Sequence, residues 1–309
     1  MKKLLLLSSY IFVICVGYAQ IPKIVEPQIK EDISLVFDST KNLIRVQKDD
    51  VYDPAIQAFV GQKLYLKPLA DNKRKDGYIS ILSMDYDPNR PPYLFRYGEY
   101  EKLAEKTFEV IKIDTFLTAY KKYIFTLKMV EDENILCKYI YDGESYSFPF
   151  ITMSYYNYLC SILLDKKYVI SNYMFQNKPF EEQKKESSTI PWIARSISIN
   201  DDGKLFVVVN NNVEENKVLL DDFLNYYKAE NQRKAIFDEL EWNKLVKQYG
   251  SSMMKLVLAH KIQVGMPEKL VRFSWGMPKR INRSSYGSDQ WVYDGQYLYI
   301  RNGKVESWN

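Results

Sequence analysis

Histidine is almost absent from this chain, with one residue, His260, in 309. That excludes metal centres built from several imidazoles and leaves only one side chain that titrates unaided near neutral pH. Phosphate cradles are missing as well: there is no GxGxxG, no P-loop and no CxxC. The segment "DYDPN" (85–89) has the alternating oxygens of a calcium loop, but Arg90 and Arg96 stand where that loop needs Gly and Glu. Acidic pairs such as Glu131 with Glu133 and Asp201 with Asp202 fall in expected turns. No catalytic, cofactor-binding or metal-ligating residue is therefore assigned, and no cofactor is expected.

Cysteine is nearly as scarce, with three residues. Cys15 follows Ile14, where lipid attachment would need a small residue, so a lipoprotein anchor is not expected. Cys137 and Cys160 either pair in an oxidising compartment or serve as buried small hydrophobes; two cysteines do not make a disulfide scaffold.

Long apolar runs are lacking after the start of the chain. The opening "MKKLLLLSSYIFVICVGYAQ" has two lysines, an apolar stretch too short to span a bilayer, and Gly17 and Ala19 in a small-x-small pattern. It reads as a signal peptide over 1–19, cleaved at Ala19/Gln20, which places the mature protein in the periplasm or on the outer surface. An integral membrane protein is not expected. Cleavage takes Lys2 and Lys3 from the 43 basic residues and leaves 41 against 39 acidic ones. This near balance, with no clustered basic face, argues against a nucleic-acid partner.

What the chain has in plenty is tyrosine, 26 residues, concentrated with β-branched residues in short segments between turn signals. The expected class is α+β, mostly β. "YISILSMDYDPNRPPYLFRY" (78–97), "YIFTLKMVEDENILCKYIY" (123–141) and "LFVVVNNNVEENKVLLDDF" (205–223) share a strand, turn, strand plan, each preceded by another short strand. They imply three small antiparallel β units in series, over 20–100, 101–160 and 161–224, with an exposed loop at 175–191. Beyond 224 the period changes. Ile236, Phe237, Leu240, Leu245, Val246 and Tyr249 fall mostly at helical intervals before Gly250, which gives a helical connector over 225–250. A C-terminal module follows over 251–309.

Two stretches of that module, "VGMPEKLVRFSWGMP" (264–278) and "QWVYDGQYLYIRNGKV" (290–305), resemble the SmpA/OmlA family, which shares the fold of the β-lactamase inhibitor proteins. The first matches the family's Gly-Met start to a short helix ending in a Gly-x-Pro turn. The second matches its Trp-x-Tyr strand and an aromatic strand closing on Asn-Gly-Lys-Val. The resemblance covers about 255–309 and implies a two-helix, three-strand binding module of the bacterial envelope that acts through protein contacts without catalysis.

The residues give the same sheet independently. Asp294-Gly295 and Asn302-Gly303 are two-residue hairpin turns, pairing Tyr293 with Gln296, Trp291 with Leu298, Arg301 with Lys304 and Ile300 with Val305. Opposed residues share a face. Trp291, Leu298, Ile300 and Val305, with Trp275 from the helix, form the expected module core. Val292, Tyr297, Tyr299, Arg301 and Trp308 lie on the other face, which is the expected contact face unless it packs on the preceding β units. The function read from the chain is an exported, non-catalytic envelope protein that binds or scaffolds an envelope protein partner. A surface carbohydrate-binding protein using exposed Tyr and Trp is the alternative, and a hydrolase with scattered carboxylates ranks behind both.

Overall fold

The computed structural model describes residues 24–25, 37–42, 54–91, 94–117, 121–141, 148–183, 187–227 and 233–309. The leader expected at 1–19, its expected cleavage point and Cys15 lie outside them. The fold is α+β and mostly β, arranged as three antiparallel sheets with intervening helices.

The first sheet is built around one long hairpin, β5 (Thr107–Leu117) and β6 (Lys121–Met129). β5 pairs with β6 along its length on one side. Its other side carries β2 (Lys63–Leu66) at one end and β1 (Ile24–Val25) at the other. β7 (Leu136–Tyr141) continues beyond β6, followed by β3 (Tyr78–Leu82) and the two-residue edge strand β4 (Tyr97–Gly98), while β8 (Phe150–Thr152) lies beyond β2. The first two β units expected in series are thus one sheet. A hairpin this long leaves two edges open: β1 and β2 of the first unit cover β5, while β7 of the second unit covers β6 and is in turn covered by β3 of the first. One face buries edge-on aromatic rings, with Tyr139 at 5.1 Å from Phe150 and 6.0 Å from Phe148 between centroids. The β8 edge is blocked by Asn42, whose amide donates to Phe150 O (3.0 Å) and accepts from Thr152 N (2.7 Å).

α4 (Met153–Leu163) begins directly at the end of β8. It ties the first sheet to the second: Ser154 Oγ donates to Gln62 Oε1 (2.8 Å), and Tyr156 OH donates to Ile197 O (3.1 Å). The second sheet has the order β12 (Glu215–Leu219), β11 (Leu205–Asn210), β10 (Trp192–Ile199), β9 (Lys167–Ile170), β13 (Ile236–Asp238). The β10–β11 turn presses against the segment after β2, where a Cβ on Gly203 would stand 2.6 Å from Pro68 O.

The loop expected at 175–191 is exposed at 176–177, 179–182 and Ile190, but it is pinned where Phe175 is buried and bridged to Val218 and where Ser187 Oγ accepts from Asn172 N (2.9 Å). One expectation fails here. The connector 225–250 is not one helix. α6 (Leu220–Tyr227) ends just inside it, and Ile236–Asp238 is the edge strand of the second sheet. Asp238 then caps the next helix, α7 (Glu239–Tyr249), by accepting from Glu241 N (2.7 Å). Adjacent apolar Ile236 and Phe237 belong to opposite faces of a strand, and Leu240, expected on the helix's apolar stripe, is 82% exposed.

α8 (Ser251–Leu258) and α9 (Glu268–Trp275) follow, then a third sheet of β14 (Arg280–Asn282), β15 (Asp289–Tyr293), β16 (Gln296–Arg301) and β17 (Lys304–Trp308), one strand more than expected. This part is not a separate module. β9 is buried on both faces: Tyr168 and Ile170 join the second core, whereas Val169 joins Phe237, Trp242, Met254, Leu270 and Trp291 in the third. The boundary expected at 250/251 cuts through that shared core. A fragment over 251–309 loses Val169, Phe237 and Trp242, so limited proteolysis will release no stable C-terminal piece of that extent. Phe237→Ala will cost about 3–5 kcal/mol in denaturant unfolding. A folded, isolated 251–309 fragment would overturn this arrangement.

Candidate functional site

The third sheet has one covered and one open face. Trp291, Leu298, Ile300 and Val305 are buried beneath α8 and α9, and Trp275 is half-buried with its Nε1 donating to His260 O (3.1 Å). The hairpin registers are those the two turns require, with Trp291 opposite Leu298 and Ile300 opposite Val305. Arg272 from α9 lies 5.1 Å from the Trp291 ring, holding a cation over its face.

On the other side, β14 adds residues to the expected contact face. Arg280 stands opposite Val292, which stands opposite Tyr297; Asn282 stands opposite Gln290, which stands opposite Tyr299. The second row is hydrogen-bonded across three strands: Asn282 Nδ2 donates to Gln290 Oε1 (2.7 Å), and Gln290 Nε2 donates to Tyr299 OH (3.1 Å). Arg301 pairs with Glu306 (3.4 Å), which also accepts from Ser288 Oγ. The Ser288 hydroxyl and Arg301 hold the Glu306 carboxyl below its usual range. Tyr297 is 43% exposed, while Val292 and Tyr299 are half-buried.

Trp308 does not belong to this face. A bulge in β17 leaves Glu306 as an extra residue, so Tyr299 stands opposite Ser307, and Trp308 stands opposite Leu298 on the covered side, 43% exposed at its margin. A strict two-residue alternation cannot foresee a bulge. Tyr286 was also missed. It is fully exposed on the β14–β15 loop, which is held by Ser284 Oγ accepting from Gly287 N (2.8 Å) and by Asp289 accepting from Ser284 N (3.0 Å). The run "SSYGS" signals a turn but not the side chain it displays.

The two cysteines stand apart. Cys137 is buried in the first core, its thiol pushed up to about 12 by burial, and Cys160 lies half-buried on α4 against the second core. Both are free thiols, so the expected alternative of a disulfide gives way to that of small hydrophobic residues.

His260 closes α8 in a left-handed conformation (φ 55°), with His260 N donating to Val257 O (3.0 Å) and Lys261 N to Leu256 O (2.9 Å). Glycine usually fills that position. The ring is fixed by Arg233, whose Nε donates to Nδ1 (2.8 Å), and by Ser171 Oγ 3.5 Å from Nε2. A catalytic base would have a carboxylate on its far nitrogen; here a guanidinium is in that place. Burial first and Arg233 second hold the imidazole at about 4. The ring is therefore uncharged at neutral pH. Among the described residues no three His, Cys, Asp or Glu side chains gather to hold a metal ion, and no helix is long and apolar enough to cross a membrane.

No protein-family model, curated protein or solved structure matches this chain.

His260 makes stability depend on acid. The unfolded chain takes up a proton near pH 6.5, which the folded chain refuses until about pH 4. Stability is therefore unaffected by this group above that window and declines as pH falls through it, by ~3 kcal/mol in all. Melting temperatures of the parent will fall between pH 6.5 and 4, and those of His260→Gln will fall less. Parallel curves would exclude the assignment.

Proposed function

We propose that this protein is an exported, non-catalytic component of the cell envelope that binds or scaffolds an envelope protein through the open face of its third sheet. The observation that carries the reading is the division of that sheet. Its inner face lies in the core with α8 and α9, while Val292, Tyr297, Tyr299 and Arg301 stand on the other, where Tyr299 is hydrogen-bonded through Gln290 to Asn282 and Arg301 pairs with Glu306. Tyr and Arg are over-represented where binding energy concentrates, and a preformed array loses little side-chain freedom on contact. The fully exposed Tyr286 supplies a further aromatic on the adjoining loop. The resemblance of 255–309 to the SmpA/OmlA family supports the same reading, as does the leader-like start of the chain. The state of His260 supports a role without acid–base catalysis.

Tyr297→Ala with Tyr299→Ala will leave the melting temperature nearly unchanged, since substitutions outside the core usually stay within about 0.5 kcal/mol. It will abolish the specific crosslink seen with the parent in envelope extracts. Retention of that crosslink, or a collapse in melting, counts against the contact face. Export is checked separately, by the intact mass of protein recovered from the envelope fraction, expected to begin at Gln20; a chain still carrying Met1 would refute it.

A further inference from the structure

Two concavities adjoin along β4, at the edge of the first sheet. The larger, of about 430 Å³, lies between the turn after α2 (Asp71–Arg74) and α3 (Tyr100–Leu103); the smaller, of about 230 Å³, opens toward the start of β7. Tyr97, Gly98 and Glu99 line both, so the two lobes form one trough with β4 as its saddle.

Its floor is stiff. A Cβ on Gly77 would lie 2.3 Å from Gly98 O, and one on Gly98 would lie 2.5 Å from Leu103 Cδ1, so the chain segments touch where side chains would part them. Tyr100 stacks on Tyr78 (6.0 Å) and lies under the Arg74 guanidinium (5.0 Å). Arg74 is itself fully engaged, donating to Leu69 O (2.8 Å) and Asp201 O (3.1 Å) and pairing with Asp71 (2.8 Å). Tyr97 is different. Its ring is 37% exposed and, among the described residues, has neither a ring partner nor a hydrogen-bond partner.

The lining restricts what can lie there. The larger lobe carries two cations, Arg74 and Lys75, and three carboxylates, Asp76, Glu99 and Glu101, and the smaller adds Arg96 and Lys102, both paired with Glu99. With Arg74 engaged by the fold and Arg96 and Lys102 by Glu99, only Lys75 stands against Asp76 and Glu101, and a phosphate or other anion finds no strong attraction. The larger lobe offers no aliphatic side chain among the described residues, which disfavours a lipid; the smaller one does, through Ile81, Leu82, Leu103 and Leu136. Hydrogen-bonding groups at one end, apolar surface at the other and a bare aromatic face between them match a ligand that is rich in hydroxyls yet has apolar ring faces. We infer that the trough binds a short neutral oligosaccharide, with a sugar ring stacked on Tyr97 and its hydroxyls met by Lys75, Asp76 and Glu101. The trough is open along its length, so the ligand lies across it and is held weakly.

This site is on a different sheet from the protein-contact face, and each is tested without the other. The full mature chain is screened on an array of neutral glucans, mannans and xylans, and the best ligand is titrated by calorimetry. A neutral oligosaccharide will bind, Tyr97→Ala will weaken it roughly tenfold, the energy of one aromatic contact, and Tyr97→Phe will keep it within a few-fold. Glu101→Gln, an exposed change, will weaken it several-fold, which keeps the test decisive if Tyr97→Ala fails to fold. The Tyr297→Ala, Tyr299→Ala protein will bind sugar like the parent. Binding of anionic glycans only, no binding up to ~10 mM sugar, or affinity indifferent to both Tyr97→Ala and Glu101→Gln would overturn the inference.

Discussion

The architecture turns on one strand that has no solvent face. β9 sends Tyr168 and Ile170 into the core with α4 and α6 and Val169 into the core with α7, α8 and the third sheet. Its neighbour β13 does the same with Ile236 and Phe237. A strand of this kind reads as a continuous apolar run, which "YVI" and "IF" are. Because both cores use the same backbone, neither can open without exposing the other. The chain from α4 onward therefore behaves as one cooperative body, although its sheets are built from separate segments.

Polar groups complete that joint. Ser171, the residue after β9, donates to Leu258 O (2.8 Å), and Ser274 of α9 donates to Lys261 O (2.8 Å); both are fully buried. Lys234 lies just before β13 with its amine on both oxygens of Glu241 (2.7 Å each) and near the rings of Phe237 and Phe273. Removing Glu241, itself part-exposed, leaves the buried Lys234 charge without a partner, so the pair works more as a lock on geometry than as a source of net stability. Arg233, one residue earlier, holds His260. Two adjacent cations thus fix the returning strand, one to α7 and one to the end of α8.

What was legible in the sequence was local. Asp294-Gly295 and Asn302-Gly303 set hairpin registers within a few residues, and they place Trp291 and Leu298 together in the third core as the alternation requires. Gly250 and Gly276 close α7 and α9 where the apolar period ends. What was not legible was pairing between distant segments. β2 meets β8 across about eighty residues and β9 meets β13 across nearly seventy, and nothing in a short window distinguishes three serial hairpins from two shared sheets. Which residues share the open face was legible except at the bulge, where one extra residue, Glu306, carries Trp308 to the other side. The trough was invisible because its walls come from three separated stretches, and no spacing links Lys75 with Tyr97 and Leu136.

Both candidate surfaces owe their exposure to how each sheet ends. The third sheet turns one face into the core it shares with α7, α8, α9 and β9, and among the described residues the other face stays open. The first sheet ends in β4, two residues long, whose pairing with β3 jumps from Tyr78–Gly98 to Leu82–Tyr97. A regular strand there would carry its neighbours' side chains across the gap and fill the trough. The irregular edge leaves a concavity instead, and the two glycines keep its floor rigid at the cost of weaker pairing. Short, irregular edges also resist pairing with another chain. The feature that protects the first sheet from edge-to-edge association is therefore the same one that opens the trough, while the third sheet leaves the face of Tyr297 and Tyr299 uncovered.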